Sequence, residues 1–80
     1  MHKPLSTGAT IGILGGGQLG RMLSVAAARL GFRSHIFEPN PDCPASHVAD
    51  RLTTASYTDT KALQHFAETV DVITYEFENI

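Results

Sequence analysis

Apolar positions along this chain switch between a strand period and a helix period, and each switch marks an element. Ile11 to Leu14 form a short apolar run bounded by glycine, which predicts a buried strand over Thr10–Leu14. Leu19, Met22, Leu23, Ala26, Ala27 and Leu30 then fall at i, i+3, i+4, i+7, i+8 and i+11, one face of a helix over about residues 18–30. Gly31 follows, where a C′ glycine ends a helix. Arg33 to Glu38, with Ile36 and Phe37, reads as a second strand, ended by Pro39, Pro41 and Pro44. Residues 44–49 suit a single helical turn. Arg51 to Ala55 reads as a short third strand. Asp59 is a good N-cap, and behind it Leu63, Phe66, Ala67 and Val70 share a helix face. Asp71 to Tyr75 is the fourth strand, running on into residues 76–80.

Strands that alternate with helices imply an α/β fold, a parallel sheet with helices on both faces. The predicted strand order is 3-2-1-4, a Rossmann-like arrangement over residues 10–80. Residues 1–9 are expected to be a flexible lead-in.

The turn between the first strand and the first helix carries the candidate chemistry. Gly15, Gly17 and Gly20 stand in the spacing G-x-G-x-x-G, and here the motif follows a strand and opens a helix, the context that gives it meaning. Gly15 lets the chain reverse. Gly17 has no Cβ, so a ligand can touch the backbone, and Gly20 lets the helix approach the sheet. The N–H groups of the first helical turn and the helix dipole then favour a phosphate. Arg21, at the start of the helix, is within reach of such a group.

All strand C-termini of a parallel sheet lie on one rim, where ligands bind. Glu38 follows strand 2, and Glu76 and Glu78 follow strand 4. If strand 4 pairs with strand 1, its end lies about 5 Å from the glycine turn, one strand spacing. Carboxylates there suit a ligand with hydroxyl or amine groups near its phosphate. Glu38 also lies 18 residues after Gly20, close to where an acid binds the ribose of NAD. An NAD- or flavin-binding oxidoreductase is therefore the alternative reading. Against it, a dinucleotide site uses two mononucleotide halves and only one is present.

Bulk properties narrow the classes. Eighty residues make one small domain. The net charge of −2, without a basic cluster, argues against nucleic acid as the partner. No apolar stretch approaches a membrane span, and residues 1–10 do not resemble a secretory signal. The single cysteine, Cys43, allows no internal disulfide and suits a cytoplasmic protein. His35, His47 and His65 lack metal-ligand spacing.

The segments Ile11 to Met22, Ala27 to Phe32, Phe37 to Ala45 and Asp71 to Asn79 together resemble the N-terminal domain of the 5-(carboxyamino)imidazole ribonucleotide synthases. These are ATP-grasp ligases of bacterial and fungal purine synthesis. The resemblance implies a reaction in which ATP and Mg²⁺ convert bicarbonate to carboxyphosphate. The exocyclic amine of 5-aminoimidazole ribonucleotide is then carboxylated, releasing ADP and phosphate. It implies that Gly16, Gly17, Gln18 and Leu19, with Arg21, bind or flank the substrate's 5′-phosphate, and that Glu76 or Glu78 meets its ribose or imidazole end. It further implies that the ATP and metal sites lie outside these residues, that no catalytic residue lies within them, that the 80-residue chain alone is inactive, and that the complete enzyme is a homodimer.

Overall fold

A computed structural model describes residues 8–75. Four strands form one sheet in the order β3-β2-β1-β4. They are β1 (Thr10–Leu14), β2 (Arg33–Phe37), β3 (Arg51–Thr53) and β4 (Val72–Tyr75). Helix α1 (Gln18–Arg29) connects β1 to β2, a 3₁₀ turn (Pro44–His47) precedes β3, and α2 (Thr60–Glu68) leads into β4. Every pairing is parallel, and β1 lies between β2 and β4. The order and the elements agree with the sequence expectation. The third strand is shorter than expected because it stops at Thr53 rather than Ala55.

Alternation along the strands divides the core into two layers. Ile13 and Ile36 are fully buried with Ala45 of the 3₁₀ turn, and Ile11, Leu23, Ala49 and Leu52 pack against them. This is the α1 layer. Gly12, His35 and Phe37 face the other way, onto α2. The Phe66 ring packs edge-on against His35 and Phe37, with centroids 4.7 and 5.3 Å apart. Gly12 makes that contact feasible: a Cβ there would lie 2.9 Å from Phe66 Cζ and from Val70 Cγ2.

Each helix ends by a local rule. The Asp59 side chain accepts the Ala62 N–H at 3.0 Å, an N-cap that satisfies one of the open donors of α2. Gly31 takes φ +85°, and the Gly31 and Phe32 N–H groups return to the Ala28 and Ala27 carbonyls at 3.1 and 2.8 Å. That pair of bonds is a Schellman motif and stops α1.

The buried side of α1 differs from its apolar stripe. Gly20, Ser24 and Ala27 are buried and Leu23 is half-buried, whereas Met22 and Leu30 are 66 and 68 % exposed and Leu19 and Val25 also reach solvent. The helix turns its small residues to the sheet, because Gly20 and Ala27 let the backbones approach closely. The large residues at 19, 22, 25 and 30 are left on the outer side.

Candidate phosphate-binding turn

The glycine turn occupies the C-terminal rim of β1. Gly15 takes φ +115°, a conformation that L side chains rarely adopt, and its N–H donates to the Phe37 carbonyl at 2.9 Å. The chain thus leaves β1 tied to the end of β2. Gly16 is buried. Its N–H donates to Glu38 Oε1 at 3.0 Å, and its carbonyl accepts the Ala45 N–H at 2.9 Å. A Cβ on Gly16 would meet Cys43 Sγ at 2.5 Å and Glu38 Cγ at 2.9 Å. The backbone of residue 16 is clamped between two loops, with no space for a side chain.

Gly17 is the N-cap of α1 at φ −73° and brings no side chain of its own to cap the helix. Gln18 and Leu19 open the helix and are exposed, Gly20 is buried beneath them, and Arg21 is exposed in the first turn. Thus Gly17, Gln18, Leu19 and Arg21 come together at one helix terminus, where backbone N–H groups and the dipole favour an anion. Tyr75 is the register partner of Leu14, so β4 ends beside the start of this turn. Glu76 and Glu78 follow in sequence and lie outside the described residues.

Glu38 is half-buried at the end of β2. Besides the Gly16 N–H on Oε1, it accepts the Asn40 N–H on Oε2 at 2.9 Å, and Tyr57 Oη lies 3.4 Å from Oε1. The carboxylate that the spacing offered to a ribose therefore already bonds the chain's own backbone. Its grip on Gly16 had no sequence signal beyond an acid at a strand terminus. Cys43, buried against Gly16, had none at all. Among the described residues, no three His, Cys, Asp or Glu gather as a metal site, and no helix is long and apolar enough to cross a membrane.

His35 is displaced from its ordinary range, downward, by burial first and then by the charges of Arg51 and His65. It lies on the α2 face of the sheet, away from the glycine turn. Thr69 Oγ1 donates to the Phe66 carbonyl at 2.7 Å, so it accepts from His35 Nδ1, 3.0 Å away. In the neutral ring Nε2 is then the acceptor for the Thr53 hydroxyl at 2.6 Å. His35 ties β2, β3 and the end of α2 together.

A parallel sheet in the order β3-β2-β1-β4, with a helix that starts from a glycine turn on its rim, defines a Rossmann-like domain. Within that class the chain belongs to the ribonucleotide synthetase preATP-grasp domain family, which it matches over residues 8–80. It is 59 % identical over 76 residues to an N5-carboxyaminoimidazole ribonucleotide synthase of Brucella melitensis, covering 95 % of this chain and 21 % of that protein. Among solved structures, a purK N5-carboxyaminoimidazole ribonucleotide synthetase in complex with ADP superposes with a TM-score of 0.93 at 51 % identity, over all of this chain and 21 % of that one. The Aspergillus clavatus N5-carboxyaminoimidazole synthase, solved with ADP and 5-aminoimidazole ribonucleotide, superposes at 0.77 with 35 % identity, over 91 % of this chain and 20 % of that one. The chain thus spans about a fifth of the length of each of these relatives. Nothing in them supports the oxidoreductase alternative.

Proposed function

We propose that this chain is the N-terminal, substrate-binding lobe of an ATP-dependent ligase that carboxylates 5-aminoimidazole ribonucleotide with bicarbonate in purine synthesis. The observation that carries the reading is the N-terminus of α1. Its N-cap is Gly17, which has no side chain of its own to cap the helix, and it stands beside the end of β4. Gly17 at φ −73° has a backbone that any residue can adopt, and its lack of a Cβ would let a ligand approach the chain. The Gln18 and Leu19 N–H groups would receive the 5′-phosphate, with Gly16 shaping the floor of the turn and Arg21 adding charge. Glu76 or Glu78 would receive the ribose or imidazole end. The ligand complex of the Aspergillus relative supports the choice of ribonucleotide.

In this reading ATP, Mg²⁺ and bicarbonate are held by parts of the ligase beyond this domain, the complete enzyme is a cytoplasmic homodimer, and residues 10–80 form the lobe. The lobe's part is to bind the ribonucleotide and orient its exocyclic amine. ATP and Mg²⁺ supply the activation of bicarbonate elsewhere in the enzyme.

The test is Gly17→Val in the full-length ligase. A side chain there blocks the backbone approach, so KM for the ribonucleotide should rise strongly while KM for ATP changes little. An equal loss for both substrates, or tight NAD binding by the unaltered enzyme, would overturn the assignment.

A further inference from the structure

Arg33 and Arg51 open two adjacent strands, β2 and β3, and stand on the same face of the sheet. Arg51 is the register partner of His35, and Arg33 lies two residues before His35 on β2, so alternation puts all three on one side. The register pairs Thr10 with Arg33 on that side too. Two residues along β2 and one strand across separate the arginine Cβ atoms by about 8 Å, within the reach of two long side chains. Both arginines are exposed, and among the described residues neither guanidinium is held in an ion pair. Beside them lies a cavity of about 380 Å³, lined by Thr10, Arg33, Ser34, Asp50, Arg51 and Thr69. It occupies the N-terminal rim of the sheet, the opposite edge from the glycine turn. The lining carries two positive charges against one negative, that of Asp50, which also accepts the Ser34 N–H on Oδ2 at 2.9 Å.

Two guanidiniums on one face repel each other, and an anion placed between them turns the repulsion into two attractions. The planar fork of a guanidinium matches a doubly charged oxyanion, because each fork can bind two of its oxygens. We propose that this corner is an anion site, in which Arg33 and Arg51 bind a phosphate dianion, free or at the end of a small monoester, with the Thr10 hydroxyl as a further donor. The site stands apart from the glycine turn and does not rest on the function proposed for that turn.

His35 is built to report on its occupancy. Nδ1 of the ring bonds Thr69 Oγ1 at 3.0 Å, and Thr69 lines the cavity. After burial, the charge of Arg51 on β3 and then that of His65 on α2 disfavour the protonated ring. An anion on Arg51 offsets the first of these charges, so occupancy should raise the His35 pKa. Linkage requires the converse, tighter anion binding once His35 has taken up its proton.

The test follows the His35 ring by NMR in the full-length protein, where His35→Gln identifies the signal by its loss. Inorganic phosphate and glycerol 3-phosphate are titrated in at constant pH. The His35 signal should move in a saturable way, and its pKa should rise in the bound protein. Saturation by both probes supports a site for monoesters, and saturation by inorganic phosphate alone supports a site for the free ion. Arg33→Gln and Arg51→Gln should each weaken binding at least about tenfold, the scale of a lost charge-assisted hydrogen bond. Both arginines are exposed at strand starts, so either variant tests the site if the other fails to fold. Ligase turnover should stay within about twofold in both, because the cavity lies on the rim away from the glycine turn. Sodium chloride at matched ionic strength should leave the signal in place. If it reproduces the shift, the arginines feel only screening and the proposal is overturned. A shift that survives both substitutions places the anion elsewhere and overturns it as well. So does the lack of any saturable shift, the result expected if an acidic segment of the protein already fills the cavity.

Discussion

Phe66 lies directly over Gly12, with its Cζ 2.9 Å from the point where a Cβ on residue 12 would stand. The glycine is thus a packing residue of the central strand, and the ring that covers it also touches His35 and Phe37. Gly12→Ala should destabilise the domain by about 1–3 kcal/mol, the usual cost of overpacking. Thermal unfolding reads this as a fall of roughly 4–8 °C per kcal/mol for a domain of this size. Phe66→Leu in the same chain should give back part of the loss, so a double-mutant cycle would show non-additivity. Strict additivity would mean that the two residues do not constrain one another.

Asp59 caps a helix only nine residues long, which gains little from propensity alone. Asp59→Ala should lower stability by about 0.5–2 kcal/mol, and Asp59→Asn should retain most of the cap. Equal losses in the two variants, measured by denaturant unfolding, would assign the effect to charge and not to the hydrogen bond.

His35 predicts a pH dependence of definite sign. Burial and the neighbouring charges hold its pKa below the ordinary histidine value, so the folded state favours the neutral ring. The unfolded chain binds a proton that the folded chain resists. The stabilisation is fully present above the unfolded value of about 6.5 and is lost as pH falls from there toward the lowered folded value. The melting temperature should therefore drop on acidification from neutrality, and His35→Gln should flatten that slope. A slope unchanged by the substitution would place the acid sensitivity elsewhere.

Glu76→Ala or Glu78→Ala, in the full-length ligase, should lower kcat/KM for the ribonucleotide by roughly 10- to 150-fold, the value of a charge-assisted hydrogen bond. The neighbouring acid that does not touch the ligand should tolerate the change. Wild-type kinetics in both variants would remove these residues from the site.

The frame of the fold was legible because period and punctuation agreed. Gly15, Gly31 and Asp59 each stood where a turn, a helix end and a helix start require them, and the strand order followed from alternation of elements. The inward face of α1 was not legible from hydrophobicity. Of the predicted stripe, Leu23 and Ala27 turn inward, joined by Gly20 and Ser24, whereas Leu19, Met22, Ala26 and Leu30 are exposed. A moment weighs side chains by polarity, whereas close packing of a helix on a parallel sheet selects by size. The turn between β1 and α1 was visible in its glycines. The partners that hold it, Glu38, Cys43 and Ala45, come from loops 22 to 29 residues further on, and no local pattern announces a contact of that kind.

The contact of Gly16 with Cys43 has a consequence for how such domains diverge. Because the thiol fills the volume a Cβ would need, residue 16 cannot gain a side chain while Cys43 keeps its place. In a lineage where residue 16 acquires a side chain, residue 43 must shrink or its loop must retreat, and the Ala45 bond to the turn goes with it. Substitutions at these three positions should therefore arrive together in descendant sequences, as a coordinated replacement of turn and loop.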